Sequence, residues 1–282
     1  MTFAIQALDF QAPDAPQTFV RSLHETGFAV LANHPVTPDQ IDAAYAAWGA
    51  FYGHQAAEKA AYQTPQADPS GYFPFRSENA KGAAQKDLKE FFQVYPDTPL
   101  PDGTTDITRK LYGGLTGLGQ TLLGWIEDHT PPKVRQTFSA PLPKMLEGSD
   151  QSMLRILHYP AQDNIVVEEG AVRAAAHEDI NLITLLIAGS SPGLQAQDAS
   201  GTWHEVPCDP GMIAVNIGDM LELASGGYYP STTHRVVNPD SGGGARFSMP
   251  MFVHPRPDVA LSADKTAGQY LAERLREIGL AS

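Results

Sequence analysis

His177-Glu178-Asp179 places two side chains that can bind a metal on either side of a single residue, and His234 follows later in the chain. In an extended strand successive side chains point to opposite faces, so His177 and Asp179 would share a face and Glu178 would point away. Two imidazoles and one carboxylate on one side of a metal are the ligands of non-haem Fe(II) sites, which keep coordination positions open. These three residues are therefore candidate metal ligands in a β-rich fold.

The stretch Arg246-Phe247-Ser248 carries the same alternation. Arg246 and Ser248 would lie on one face of a strand, and Phe247 would lie on the opposite, apolar face. A planar guanidinium makes paired, charge-assisted hydrogen bonds to a carboxylate, and a serine hydroxyl can add another donor. The sequence thus predicts a carboxylate-binding pair beside a metal centre, which favours an enzyme.

From Ser152 onward the chain consists of short β-rich runs separated by glycine, proline and asparagine. Seven or eight strands with turn signals between them favour a sandwich or a barrel. The predicted strands cover residues 153–157, 182–187, 193–197, 203–206, 212–217, 234–237 and 246–253.

The first part of the chain alternates helix and strand. Asp14, with Gln17 three residues later, predicts the start of a helix that Gly27 ends. Thr37 and Gln40 form a capping-box pattern and predict the start of a second helix. The remaining predictions are a buried strand over 28–31, a surface loop over 65–77, a long helix over 107–126 and a last helix over 262–278.

Charge and composition limit the classes of partner. The chain has 19 basic and 32 acidic side chains, a formal net charge of -13, which disfavours nucleic acid and anionic membranes as partners. Its one cysteine, Cys208, suits a reducing compartment. The amino terminus lacks a basic region followed by an apolar run, so we expect a cytoplasmic protein.

Several short segments match one known family, in that family's order along the chain. They include Asn33-His34, Glu58-Lys59, Asp87-Leu88-Lys89-Glu90-Phe91, Leu154-Arg155-Ile156-Leu157-His158-Tyr159-Pro160, Val215-Asn216-Ile217-Gly218-Asp219 and His234-Arg235-Val236-Val237. In these segments, which are spread over nearly its whole length, the chain resembles the isopenicillin N synthase-like family of Fe(II)- and 2-oxoglutarate-dependent dioxygenases.

The resemblance implies an α+β fold with a mainly β core. That core would be a distorted double-stranded β-helix, or jelly roll, flanked by helices from the N-terminal region and by a C-terminal helix. Residues 1–282 would form a single dioxygenase domain. Within it, residues 1–100 resemble the family's N-terminal module, and residues 150–255 resemble the jelly-roll core that binds Fe(II) and 2-oxoglutarate.

The resemblance also assigns roles to residues by position. Fe(II) would be bound by His177, Asp179 and His234, which are also the catalytic residues. The distal carboxylate of 2-oxoglutarate, the co-substrate, would be bound by Arg246, Ser248 and Tyr159. With O₂ as oxidant, a small-molecule substrate would undergo hydroxylation, desaturation or ring formation, with release of succinate and CO₂.

Some positions depart from the family pattern. His158 stands where many relatives have a tyrosine, and it could be a hydrogen-bonded residue or a residue facing the substrate. Arg155 could bind an acidic substrate or form a structural ion pair. Ala188-Gly189-Ser190-Ser191 replaces a glutamine-aspartate pair of many plant members, so substrate identity cannot be transferred from them.

Two alternatives to this function stay open at the level of sequence. In isopenicillin N synthase itself and in aminocyclopropane carboxylate oxidase, the same iron site works without 2-oxoglutarate. Arg246 and Ser248 would then hold a substrate carboxylate. In the other alternative, the chain is a jelly-roll binding module that keeps a metal site without turnover. The intact set of three ligands argues against that module. The substrate and the oligomeric state are not predicted.

Overall fold

Two β-sheets pack face to face, and helices cover the outer side of the larger sheet. The computed structural model describes residues 3–65, 68–77, 87–161, 173–188, 193–237 and 244–277. The strands are β1 (Ala7–Asp9), β2 (Phe28–Ala32), β3 (Gly71–Phe73), β4 (Glu90–Val94), β5 (Met153–Tyr159), β6 (Ala174–His177), β7 (Ile183–Ile187), β8 (Leu194–Gln197), β9 (Trp203–Glu205), β10 (Ile213–Ile217), β11 (His234–Val236) and β12 (Arg246–Val253). The helices are α1 (Ala15–Thr26), α2 (Pro38–Tyr52), α3 (Ala56–Ala60), α4 (Thr105–His129), α5 (Pro132–Arg135), α6 (Leu142–Leu146), α7 (Asp219–Ala224) and α8 (Ala267–Glu277).

The order of the strands gives the jelly roll that the resemblance implied. The larger sheet has the order β1-β2-β10-β7-β12-β5-β4-β3, and the smaller sheet has the order β6-β11-β8-β9. β1 and β2 pair in parallel, and the other pairings among the described strands are antiparallel. The expected α+β class with a mainly β core is confirmed.

The larger sheet has two faces with different partners. On its outer face, apolar side chains such as Leu185 and Val253 belong to the main core, which also includes buried residues of α1, α2 and α4. On its inner face, Phe28 and Ala214 pack with Val236 of the smaller sheet. Because side chains alternate along each strand, a residue's place in the sequence decides which of these two environments it enters.

Two predicted helix boundaries are confirmed, and one predicted cap is wrong. Gly27 ends α1 in the left-handed conformation, at φ 72°. The capping box of Thr37 and Gln40 is present at the start of α2. Asp14 precedes α1, but its side chain makes no capping hydrogen bond to the helix. The long helix predicted over 107–126 is α4.

Other predicted boundaries need correction. The stretch 65–77, predicted as a loop, contains β3, which pairs with β4. The last helix begins at Ala267 rather than at residue 262, because the backbone N–H of Leu261 donates to the carbonyl of Lys265 in a turn. Its predicted end at residue 278 lies outside the described residues, as do Gly189, Ser190 and Ser191.

Candidate active site

The three predicted metal ligands meet between the two sheets. His177 is the last residue of β6 and lies opposite His234, the first residue of β11. Ligand atoms of His177, Asp179 and His234 all lie within 4.8 Å of one another. Nε2 of His177 is 3.8 Å from Oδ1 of Asp179, and Nε2 of His234 is 3.8 Å from Oδ2. The strand itself ends at His177, so the expected extension of β6 through Asp179 is wrong, although the two side chains still converge.

Backbone carbonyls orient both imidazoles. Nδ1 of His177 lies 2.7 Å from the carbonyl oxygen of Ala175, and Nδ1 of His234 lies 3.1 Å from that of Thr232. A carbonyl oxygen only accepts, so each Nδ1 carries a proton, and in a neutral ring the lone pair is then on Nε2. This arrangement is typical of histidines that bind a metal through Nε2.

Asp179 is fixed by side chains on the inner face of the larger sheet. Its Oδ2 accepts hydrogen bonds from Oγ1 of Thr184 at 2.6 Å and from Nδ2 of Asn216 at 2.9 Å. Nδ2 of Asn181 in turn donates to Oγ1 of Thr184 at 2.8 Å. Asn216 belongs to a segment that matched the family. Thr184 and Asn181 lie five and two positions after Asp179, and they were missed because no residue pattern marks the path of the chain that brings Thr184 to the carboxylate.

The charge states of the site suit a divalent metal. Burial opposes ionisation of Asp179, but His234 and His177, with the hydrogen bonds of Asn216 and Thr184, outweigh it and lower the pKa of the carboxyl group. Partial desolvation of the imidazole and the neighbouring His234 lower the pKa of His177 to about 4. The His177 side chain is 41% exposed, so one edge of its ring faces solvent. A carboxylate with neutral imidazoles is a donor set that fits Fe(II).

Arg246, Ser248 and Tyr159 share the inner face of the larger sheet. Arg246 lies opposite Tyr159 in the pairing of β12 with β5, and its guanidinium carbon is 5.3 Å from the centre of the tyrosine ring. Arg246 and Ser248 are both buried. Phe247 lies on the outer face and packs against His158 and Tyr45. The structure therefore has the side-chain alternation that the sequence predicted.

A second arginine, which the sequence analysis did not single out, lies in the same place. Arg173 directly precedes β6 and is only 2% exposed. Its guanidinium carbon lies 5.9 Å from the centre of the Tyr159 ring. One of its nitrogens, Nη2, donates to the carbonyl oxygen of Gly244 at 3.4 Å. Nothing in the spacing of the sequence relates Arg173 to Arg246, since 72 positions separate them.

His158 lies on the outer face of the sheet, away from the metal ligands. Its Nδ1 is 2.7 Å from Oε1 of Glu90, and Nζ of Lys59 is 2.8 Å from Oε2 of the same carboxylate. The hydroxyl of Tyr72 also donates to Glu90. Burial acts to raise the pKa of Glu90, but these hydrogen bonds, led by that of His158, lower it. Two interpretations of His158 were open, and the structure supports a hydrogen-bonded residue rather than one that faces the substrate.

Arg155 lies on the inner face, as alternation from Tyr159 requires. Its Nε and Nη2 donate to Oε1 of Gln93 at 3.1 and 2.6 Å. The guanidinium carbon lies 4.6 Å from the centre of the Phe91 ring and 5.6 Å from that of Phe252. Arg155 thus contributes a cation and a flat surface to the space between the sheets.

Glu178 and Arg235, the sequence neighbours of the candidate ligands, have partners elsewhere. Oε1 of Glu178 accepts a hydrogen bond from Oγ1 of Thr233 at 2.7 Å. Arg235 donates from Nε to Oε1 of Gln195 at 2.9 Å and lies over the ring of Trp203. Neither side chain belongs to the cluster of ligand atoms among the described residues.

Comparison with known families gives two matches. A model of the 2OG-Fe(II) oxygenase superfamily matches residues 150–255, which contain all six candidate site residues. A second model, described as the N-terminal part of the non-haem dioxygenase in morphine synthesis, matches residues 5–112.

Individual proteins resemble the chain over most of its length. A crystal structure from Shewanella oneidensis, assigned as an oxygenase, is 44% identical, covers 98% of both chains and has a TM-score of 0.88. A Caulobacter crescentus protein assigned to the 2OG-Fe(II) oxygenase family is 31% identical, with 98% of this chain and 100% of that one covered and a TM-score of 0.79. The 2-oxoglutarate-dependent dioxygenase citB of Monascus ruber is 28% identical over 86% of this chain and 79% of its own.

Proposed function

The chain belongs to the Fe(II)- and 2-oxoglutarate-dependent oxygenases, and we propose on that basis that His177, Asp179 and His234 hold its iron. The enzyme oxidises a small-molecule substrate with O₂ and converts 2-oxoglutarate to succinate and CO₂. The observation that carries the ligand assignment is the approach of three donor groups to within 4.8 Å of one another. Their surroundings give further support, since each Nδ1 donates to a backbone carbonyl, which leaves Nε2 as the atom available to a metal, and the pKa of the Asp179 carboxyl group is lowered.

Arg246, Ser248 and Tyr159 would bind the distal carboxylate of 2-oxoglutarate. A buried guanidinium holds a carboxylate through paired, charge-assisted hydrogen bonds, and the hydroxyls of Ser248 and Tyr159 can add donors. Burial of Arg246 and Ser248 keeps water from competing for the same oxygens. These residues would thereby fix the orientation of the co-substrate.

The protein's own part in the reaction is to position groups and exclude water. When bound, iron would supply the oxidising chemistry, with 2-oxoglutarate and the substrate together as the reductants of O₂. The carbonyls of Ala175 and Thr232 hold the two imidazoles in the tautomer that leaves Nε2 available. Thr184 and Asn216 hold one oxygen of Asp179 and so set the direction of the other.

The compartment and the partners of the enzyme are also part of the proposal. Among the residues that the structure describes, no helix combines the length and the apolar character needed to cross a membrane. The net charge of -13 disfavours binding to nucleic acid and to anionic lipid. We place the enzyme in the cytoplasm, with a small molecule as its substrate.

Titration of 2-oxoglutarate into the anaerobic Fe(II) protein tests the co-substrate site. The chelate should give a weak metal-to-ligand charge-transfer band. Replacing Arg246 with alanine should weaken 2-oxoglutarate binding about tenfold to a hundredfold, because a charge-assisted buried contact is lost. Arg246→Lys should recover part of the affinity, since a point charge replaces the paired donors. A wild-type protein that consumes O₂ with a substrate, yet gives no band and no succinate, would show that Arg246 holds a substrate carboxylate instead.

A further inference from the structure

Two buried guanidiniums converge on one tyrosine ring. Arg173 directly precedes β6 of the smaller sheet, and Arg246 is the first residue of β12 in the larger one. Each is 2% exposed, and their guanidinium carbons lie 5.9 and 5.3 Å from the centre of the Tyr159 ring. The carboxylate pocket is therefore bounded by a cation from each sheet.

Arg246 lies close enough to Arg173 to affect its charge. Burial and the neighbouring Arg246 both lower the pKa of Arg173. Two buried cations beside one ring raise the electrostatic potential around it, so an anion that binds there is attracted by both. Each carboxylate oxygen can accept two hydrogen bonds, so one carboxylate has room for donors from two guanidiniums.

We propose that Arg173 is a second anchor for the distal carboxylate of 2-oxoglutarate, acting with Arg246 from the opposite sheet. This inference rests on the proposed function, because it concerns the same co-substrate. With this role for Arg173, the smaller sheet would contribute to the site twice. His177 and His234 would bind the iron, and Arg173 would bind the distal carboxylate. A different role for Arg173 would be to support the backbone at Gly244, to which it donates a hydrogen bond.

Titration with two different ligands distinguishes the carboxylate anchor from the structural support. Pyruvate has the same 2-oxo acid group as 2-oxoglutarate but no distal carboxylate. An anchor for that carboxylate affects 2-oxoglutarate alone, whereas a loss of structural support affects both ligands. The measurement is titration of each ligand into the anaerobic Fe(II) protein, with iron affinity and circular dichroism as checks on the site and the fold.

The test variant is Arg173→Gln, and the control is Arg109→Gln. Arg109 also donates to backbone carbonyls, those of Tyr95 and Thr98, but it lies on α4 outside the site. In Arg173→Gln the Kd for 2-oxoglutarate should rise about tenfold to a hundredfold, while the Kd for pyruvate changes by less than about twofold. The control should bind both ligands as the wild type does.

Three results would overturn the inference. The first is an unchanged Kd for 2-oxoglutarate in Arg173→Gln, and the second is an equal loss of affinity for both ligands in that variant. The third is a wild-type protein that shows no band with 2-oxoglutarate, which would remove the proposed function as well. If Arg173→Gln does not fold, Arg173→Lys takes its place, and an unchanged preference for 2-oxoglutarate over pyruvate then contradicts the inference. A normal wild-type band with an unaffected variant removes the inference alone.

Discussion

At the proposed metal site, residues of both sheets contribute. The smaller sheet supplies His177 and His234, and the larger sheet supplies Thr184 and Asn216, which hold Asp179. A ligand held by hydrogen bonds loses less freedom when it binds a metal than one that is mobile beforehand. The affinity for iron should therefore depend on residues that never touch the iron.

Replacing Thr184 with valine tests this dependence. The change keeps the shape of the side chain but removes the hydroxyl that donates to Oδ2 of Asp179. We expect the Kd for Fe(II) to rise about tenfold, with the fold retained. Thr233→Val is the matched control, because its hydroxyl donates to Glu178 rather than to Asp179. Equal iron affinities in both variants, measured by anaerobic titration, would argue against the role of Thr184.

At the scale of elements, the end of α1 is tied to the segment that leads into β11. Gly27 has a φ of 72°, and a Cβ at this position would lie 2.1 Å from Oγ1 of Thr232 and 2.7 Å from the carbonyl oxygen of Pro230. The carbonyl of Thr232 orients His234. A glycine at the end of a helix thus allows the close approach that positions a candidate ligand.

Replacing Gly27 with alanine should destabilise the protein by more than backbone strain alone. A left-handed φ costs a residue with a Cβ about 1 to 2 kcal/mol. The clash with Thr232 should add about 1 to 3 kcal/mol. Gly103→Ala isolates the first contribution, since Gly103 has a φ of 79° and no atom within 4 Å of the added Cβ. Urea unfolding measures both variants, and equal losses of free energy of unfolding would contradict the predicted clash.

The elements that the sequence predicted well are those with a strong local signal. Gly27 and the capping box of Thr37 set helix ends through their own chemistry. β3, which has three residues, was missed because it exists only through its pairing with β4. The start of α8 was misplaced because backbone hydrogen bonds from Leu261 and Ser262 to the carbonyl of Lys265 form a turn there, and the residue types do not mark it. Short strands and turns depend on distant partners that a local pattern does not contain.

For the whole molecule, stability should depend on pH through buried histidines. Burial lowers the pKa of His254 to about 4. In the unfolded chain it titrates near 6.5, so between these two values the unfolded state binds more protons and stability falls as the pH is lowered. His254 should contribute about 2 kcal/mol to the loss of stability between pH 7 and pH 5. The His254→Gln variant should show a smaller loss over this range in urea unfolding. Equal losses in variant and wild type would contradict this account.

The sequence predicted those site residues whose spacing along the chain matches a known arrangement of functional groups. His177 with Asp179, and Arg246 with Ser248, are pairs two residues apart. Alternation along β12 places Arg246 and Ser248 on one side, whereas β6 ends at His177 and Asp179 approaches it from the segment that follows the strand. Thr184 is only five positions from Asp179, but its contact depends on the path of the chain between β6 and β7, which no residue pattern marks. Arg173 meets the ring of Tyr159 only because the two sheets face each other. The environment of His158 could not be read from the sequence either, since Glu90 and Lys59 come from distant elements.

The most direct test of the ligand assignment is the iron content of the purified protein and of single alanine variants. Asp179→Ala and His234→Ala should lose bound Fe(II) and succinate production while circular dichroism reports an intact fold. Glu178→Ala, one residue from two candidate ligands, should keep the iron content of the wild type, because its side chain bonds to Thr233. Full iron occupancy and turnover in both ligand variants, or loss of iron from Glu178→Ala alone, would contradict the assignment.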